Sequence, residues 1–71
     1  MRTAIFTQSE FTIYKMDVLS KTKGNNIHNV TGKLGAIKGF IDLIDEIPAR
    51  ADYYNQIIEN AKGEIFQLIH H

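Results

Sequence analysis

The sequence has 71 residues and no cysteine, and its eight Lys and Arg residues balance its eight Asp and Glu residues. A chain of this length forms at most one small domain, and neither a disulfide nor a cysteine-based zinc site can reinforce it. The interspersed charges indicate neither a nucleic-acid partner nor an anionic membrane. Short apolar runs predict no membrane span, and the N-terminus lacks the apolar core of a secretory signal. We therefore expect a cytoplasmic protein that associates with itself.

The first predicted element is a helix that begins at Gln8. Thr7 and Glu10 have the spacing of a capping box, in which each residue hydrogen-bonds to the backbone of the other. Phe6 and Phe11 stand on either side of this start and are placed to form a hydrophobic staple. Phe11, Tyr14 and Val18 continue at helical spacing, although several β-branched and aromatic residues nearby also favour strands.

The polar stretch 20–26 separates this segment from the rest of the chain. It has no apolar residue, and the Gly-Asn-Asn sequence at its end is typical of a place where a helix stops or bends. We predict a hinge there, which makes residues 1–26 an N-terminal helical or linker segment. Three arrangements of that segment stay open: it extends the helical bundle, packs back on it, or forms strands.

Two helices are predicted after the hinge, because apolar residues recur at alternating spacings of three and four. Such a repeat is the seam of packed helices. The seam of the first helix is Ile27, Val30, Leu34, Ile37, Ile41 and Ile44, and that of the second is Ala51, Tyr54, Ile58, Ala61, Ile65 and Leu68. Between them, Pro48 disfavours helical geometry at the preceding residue and suits the first turn of a new helix. The chain is therefore predicted to reverse around Glu46–Pro48.

The predicted fold is all-α, with residues 27–71 forming an antiparallel helical hairpin and an extra helical segment at the N-terminus. Further apolar residues flank each seam and widen it to the face of a bundle helix. A single hairpin leaves part of these faces exposed, whereas two hairpins paired as a four-helix bundle cover them. We therefore expect a homodimer.

One histidine and three glycines share a face of the first hairpin helix. Gly32, Gly35 and Gly39 follow His28 at spacings of 4, 3 and 4, and His28 falls on the solvent side of the seam. Each glycine costs roughly 1 kcal/mol relative to alanine in a helix interior, so the three together forfeit about 3 kcal/mol. Two explanations stay open: another helix of the same bundle packs closely there, or a partner docks beside the histidine.

The stretch His28–Phe40, HNVTGKLGAIKGF, resembles the phosphoacceptor box of sensor histidine kinases, which is commonly His-Glu-Leu-Arg-Thr-Pro-Leu-Thr-Ala-Ile-x-Gly-Tyr/Phe. The residues that coincide are His28, Leu34, Ala36, Ile37, Gly39 and Phe40. The second seam is similar to the second helix of the same dimerisation module, so the resemblance covers about residues 20–71.

This resemblance implies a two-component signalling function. A hairpin would dimerise into a four-helix bundle, and His28 would be the phosphorylated residue, exchanging its phosphoryl group with a response regulator. An imidazole nitrogen attacks phosphorus only when it is unprotonated and accessible, which a solvent-facing histidine satisfies. The chain has no Gly-rich nucleotide motif after residue 50, so ATP would act only through a separate catalytic domain of a histidine kinase. By itself the chain is not predicted to be a complete kinase.

Three positions depart from the family pattern. Asn29 stands where the family usually has an acidic residue, and an amide cannot act as a base, which weighs against efficient autophosphorylation. Gly32 replaces the Thr or Asn that often assists dephosphorylation, and this weighs against a phosphatase role. Lys33 replaces the customary proline, and its ammonium group either neutralises a nearby phosphate or is simply solvated.

These departures keep two alternatives to phosphotransfer open. The chain could be a noncatalytic inhibitor or interaction protein that binds a histidine kinase or a response regulator, or it could be a structural dimerisation element. The terminal pair His70 and His71 lacks fixed geometry, and we expect no metal site there.

Overall fold

The computed structural model describes residues 4–70, which form three α-helices and two short 3₁₀ turns. The helices are α1 (Gln8–Lys21), α2 (Ile27–Glu46) and α3 (Ala51–Ile69), and the 3₁₀ turns are Gly24–Asn26 and Pro48–Arg50. No strand occurs within 4–70, which confirms the predicted all-α class for that range. Three residues of the predicted N-terminal segment, 1–3, and His71 of the terminal pair lie outside the described residues.

Helix α1 begins where its capping signals predict. The Thr7 hydroxyl accepts a hydrogen bond from the Glu10 N–H at 3.1 Å, and the Thr7 N–H donates to the Glu10 carboxylate at 2.8 Å. The rings of Phe6 and Phe11 meet edge to face with their centroids 6.2 Å apart, which is the predicted staple. This local chemistry satisfies N–H groups that a helix start would otherwise leave without partners.

The predicted reversal between the hairpin helices is also confirmed. Helix α2 ends at Glu46, and Ile47 has non-helical backbone angles of φ −131° and ψ 72°. Pro48 opens the 3₁₀ turn that leads directly into α3. Because proline has no N–H to donate, it fits this first turn and excludes a continuous helix across residues 46–51.

The core is built mainly from the predicted seams. Eight of its ten fully buried apolar residues belong to the hairpin, namely Val30, Leu34, Ile37, Ile41, Ile44, Ala51, Ile58 and Ile65. The other two, Phe11 and Val18, come from α1 and lie in the same cluster. Among the three open arrangements, residues 4–26 therefore pack back on the hairpin. Burial of each large aliphatic side chain contributes roughly 1.5–3 kcal/mol.

Hydrogen bonds at both ends of the helical bundle show the relative directions of the helices. Gln8 at the start of α1 donates to the Asp42 carboxylate near the end of α2 at 2.8 Å, so α1 and α2 run in opposite directions. At the other end, the Asn26 side-chain amide donates to the Leu68 carbonyl at 3.0 Å. The three helices thus run up, down and up, and the start of α2 lies beside the end of α3. None of these helices is long and apolar enough to cross a membrane.

Candidate functional site

An open groove of about 920 Å³ runs between α2 and α3. Its lining residues belong only to these two helices: His28, Asn29, Gly32, Lys33, Ala36, Ile57, Asn60, Ala61, Glu64, Gln67 and Leu68. The floor is largely apolar, and the amides of Asn60 and Gln67 stand at its exposed edge. The groove therefore offers apolar surface with hydrogen-bonding groups at its rim, as docking sites commonly do.

His28 is the second residue of α2 and is exposed at one end of this groove. The predicted site residues Asn29, Gly32 and Lys33 line the same groove, so the structure brings four of the six predicted residues together. The first turn of a helix carries partial positive charge from its backbone N–H groups, and no acidic side chain occupies this turn of α2. A negative group attached to His28 would be stabilised there by roughly 0.3–1 kcal/mol.

Lys33 and Glu64 form an ion pair between α2 and α3 along the groove. The Lys33 ammonium lies 3.4 Å from the Glu64 carboxylate, and the two side chains are 31% and 62% exposed. Among the described residues that line the groove, Lys33 carries its positive charge and Glu64 its only carboxylate. Glu64 could not be identified from the sequence, because the pair joins residues far apart in the chain and no local pattern marks it.

The three glycines have different surroundings. Gly32 lines the groove with His28, whereas Gly35 lines a smaller groove of about 230 Å³ on the α1 side of α2, and Gly39 is exposed. Apart from the backbone of its own helix and its chain neighbours, a Cβ atom on any of the three would meet no heavy atom of the described residues within 4 Å. Close packing within the described chain therefore does not account for these glycines. Docking of a partner on this face stays a prediction.

Asn26 was predicted only as part of the hinge, but it has a structural role at the site. Its amide donates to the Leu68 carbonyl, which belongs to the last turn of α3. Carbonyls in the last turn have no partner within their own helix, so this contact caps α3 from the side. It also holds the start of α2, and with it His28, against the end of α3.

Nothing within residues 4–70 suggests a metal centre. No three His, Cys, Asp or Glu side chains of that range come together as possible ligands. His70 instead stacks on Phe66, with the ring centroids 4.1 Å apart.

Comparison with known proteins gives no match: no family model, no curated protein and no solved structure corresponds to this chain. The resemblance to a phosphoacceptor box therefore rests on the residues of the chain alone.

Proposed function

We propose that this chain is a phosphotransfer module of histidine-kinase type, in which His28 accepts and passes on a phosphoryl group. The observation that carries the proposal is the position of His28, exposed at the start of α2 beside Gly32 and away from the buried seam. A large phosphoryl donor needs unobstructed approach to the ring, and a residue without a side chain one turn further along provides it.

The chemistry requires one bond to form and one to break. The unprotonated ring nitrogen of His28 attacks phosphorus, the P–O bond to the leaving group breaks, and the proton on the other ring nitrogen passes to solvent. Charge develops on the phosphoryl oxygens, so cations and helix N-termini that point at them favour the reaction. The first turn of α2 supplies such a field, and Lys33 supplies a cation in the same groove.

The proposed partners supply the phosphoryl donor and the final phosphoryl acceptor of the reaction. A histidine-kinase catalytic domain would bring ATP, and a response regulator would receive the phosphoryl group on an aspartate. Either partner would dock over the groove and the face formed by Gly32, Gly35 and Gly39. Reactions that consume cellular ATP fit a cytoplasmic location.

The proposal includes a homodimer formed by two hairpins. Its support is the seam repeat, which is complementary to a second copy of itself. In the single chain α1 lies on this seam, so pairing through the seam requires α1 to leave it.

The second candidate is a noncatalytic protein that binds a histidine kinase or response regulator and blocks or scaffolds it. Two groove residues favour it: Asn29 cannot act as a base, and Gly32 has no side chain to assist hydrolysis. The apolar groove itself would bind such a partner without any phosphoryl transfer.

The test uses a histidine-kinase catalytic domain with ATP labelled at the γ-phosphate. Acid-labile label should appear on the native chain and on the His70→Ala variant, which removes another exposed histidine, and it should be absent from His28→Gln. Equal labelling of His28→Gln would contradict the proposal. If the native chain binds the catalytic domain but takes no label, and His28→Gln binds it equally well, the result would support the inhibitor alternative. The absence of both label and binding would favour a structural element.

A further inference from the structure

Helix α1 contributes much less to the shared core than the hairpin does. Phe11 and Val18 are its only fully buried residues, whereas Ile13 and Met16 are 69% and 67% exposed on its outer side. Helix α1 has 14 residues, compared with 20 in α2 and 19 in α3. Most seam residues are buried in this arrangement, but Ile27 remains 45% exposed, and Tyr54, Ala61 and Leu68 are only half-buried.

The hydrogen bonds described between the start of α1 and the hairpin lie at the surface. The hydrogen bonds from Gln8 to Asp42 and from the Ile5 N–H to Asn55, like those of the capping box, lie at exposed positions. Exposed polar contacts contribute little because water replaces them at small cost. The short connection at residues 22–26 joins α1 to α2 and contains Gly24, whose backbone adapts readily to a new direction.

A second copy of the chain is the occupant that best fits the seam beneath α1. Both hairpin helices carry apolar residues at alternating spacings of three and four over most of their length, and such repeats pack against one another in bundles. A second hairpin brings two helices of 20 and 19 residues, whereas α1 brings one of 14. It would cover more of the seam than α1 does.

We propose that α1 is a displaceable cover that competes with a second copy of the chain for the α2–α3 seam, an inference that rests on the homodimer of the proposed function. When α1 is docked, the seam is closed and the chain is monomeric. When α1 detaches, with residues 22–26 as the hinge, the seams of two chains pair. Both arrangements use the same buried residues, so they exclude one another. His28 lies on the other side of α2 and stays accessible in both, so α1 controls assembly without covering the histidine.

Locking α1 in place tests the competition directly. The chain has no cysteine, so Gln8→Cys and Asp42→Cys can be joined by a short bis-maleimide, with the same double variant treated with a monofunctional maleimide as control. Sedimentation equilibrium over a range of concentrations measures the mass. The joined protein should remain monomeric at concentrations where the control forms dimers. Equal association of the two would overturn the proposal.

Loosening α1 should have the opposite effect. A helix of 14 residues is marginal in water once it leaves the core, so the released α1 loses its helix and the capping box stabilises only the docked form. Thr7→Ala removes that box without touching the core and should make the released form about fivefold more populated. Because a dimer needs two released chains, its apparent Kd should fall about 25-fold. Phe11→Ala combined with Val18→Ala should lower the Kd further, whereas Ile13→Ala combined with Met16→Ala, on the outer side of the same helix, should leave it unchanged.

The remaining outcomes are equally decisive. If Phe11→Ala with Val18→Ala loses its helical circular dichroism even at high concentration, α1 is an integral part of the core and the proposal fails. If Thr7→Ala leaves the Kd unchanged, the proposal fails as well. The measured quantity is mass, so a His28 that takes no phosphoryl group would refute phosphotransfer and leave this inference standing.

Discussion

The inner and outer faces of α2 differ in whether packing within the chain accounts for their residues. On the inner face, five seam residues of α2 are at most 2% exposed: Val30, Leu34, Ile37, Ile41 and Ile44. On the outer face, His28 is exposed, and no other helix or side chain beyond the chain neighbours comes within 4 Å of where a Cβ of the three glycines would stand. Packing within the chain explains the inner face and leaves the outer face unexplained. The function is therefore best sought on the outer face.

The largest effect is expected from opening a cavity in the inner face. Ile37 is fully buried, so Ile37→Ala should lower the free energy of unfolding by about 2–5 kcal/mol through lost apolar burial and a residual cavity. Urea denaturation followed by circular dichroism measures the change. Ile13→Ala, on the exposed side of α1, is the control and should change stability by less than about 0.5 kcal/mol. Equal effects of the two substitutions would refute the described core.

On the outer face, adding side chains should stabilise the protein. Alanine at Gly32, Gly35 and Gly39 together should raise the free energy of unfolding by about 3 kcal/mol, because each glycine costs roughly 1 kcal/mol in a helix and no clash opposes the new methyl groups. Gly63→Ala in α3, which is equally open, should add about 1 kcal/mol.

The same variants separate stability from docking. If a partner approaches the outer face of α2 closely, the triple alanine variant should bind a kinase catalytic domain more weakly despite its greater stability, and Gly63→Ala should bind it normally. Destabilisation of the triple variant would instead show that another part of the chain packs on this face.

Much of this fold could be predicted because its signals are local. The spacing of Ile37 and its neighbours identified α2, and that of Ile58 and its neighbours identified α3. Pro48 identified the reversal, and Thr7 with Glu10 identified the start of α1. Where α1 packs could not be predicted, because the same Phe11 and Val18 suit a bundle extension or a return onto the seam. That choice depends on which apolar surface is nearest in three dimensions.

The candidate site likewise combines features that local sequence patterns predict with features that depend on how the helices pack. The shared face of His28 and the glycines follows from helical periodicity, so the sequence predicted it. The contact between Asn26 and Leu68 joins residues 42 positions apart, and the one between Lys33 and Glu64 also crosses between helices. Such contacts depend on the relative rotation of α2 and α3, which no local pattern specifies.

The ion pair at the edge between the two faces should have a small effect. A double-mutant cycle with Lys33→Met and Glu64→Gln should give a coupling energy below about 1 kcal/mol, because both groups are partly solvated. The coupling should shrink in high salt as the charges are screened. Lys62 and Glu59, an ion pair 3.5 Å apart within α3, provide the matched control. A salt-independent coupling of several kcal/mol would mean that the groove is closed to water.

The smallest effect concerns the link between α1 and the flank of α2. Hydrogen bonds from Lys38, and secondly from Gln8, lower the pKa of Asp42 below its ordinary value. Because the folded chain favours the carboxylate, this contribution to stability is fully present above the ordinary pKa of the unfolded chain and is lost as pH falls through the lowered folded pKa.

An NMR titration of the Asp42 carboxyl carbon measures this shift, with Lys38→Met and Gln8→Ala as comparison variants. Lys38→Met should return the pKa closer to its ordinary value than Gln8→Ala does, since the Lys38 hydrogen bond is the larger cause. Asp42→Asn should make stability less sensitive to pH below the unfolded pKa. If Gln8→Ala leaves the Asp42 titration unchanged, the side chain of Gln8 does not reach α2 in solution. The start of α1 is then held by its apolar contacts and by the hydrogen bond from the Ile5 N–H to Asn55.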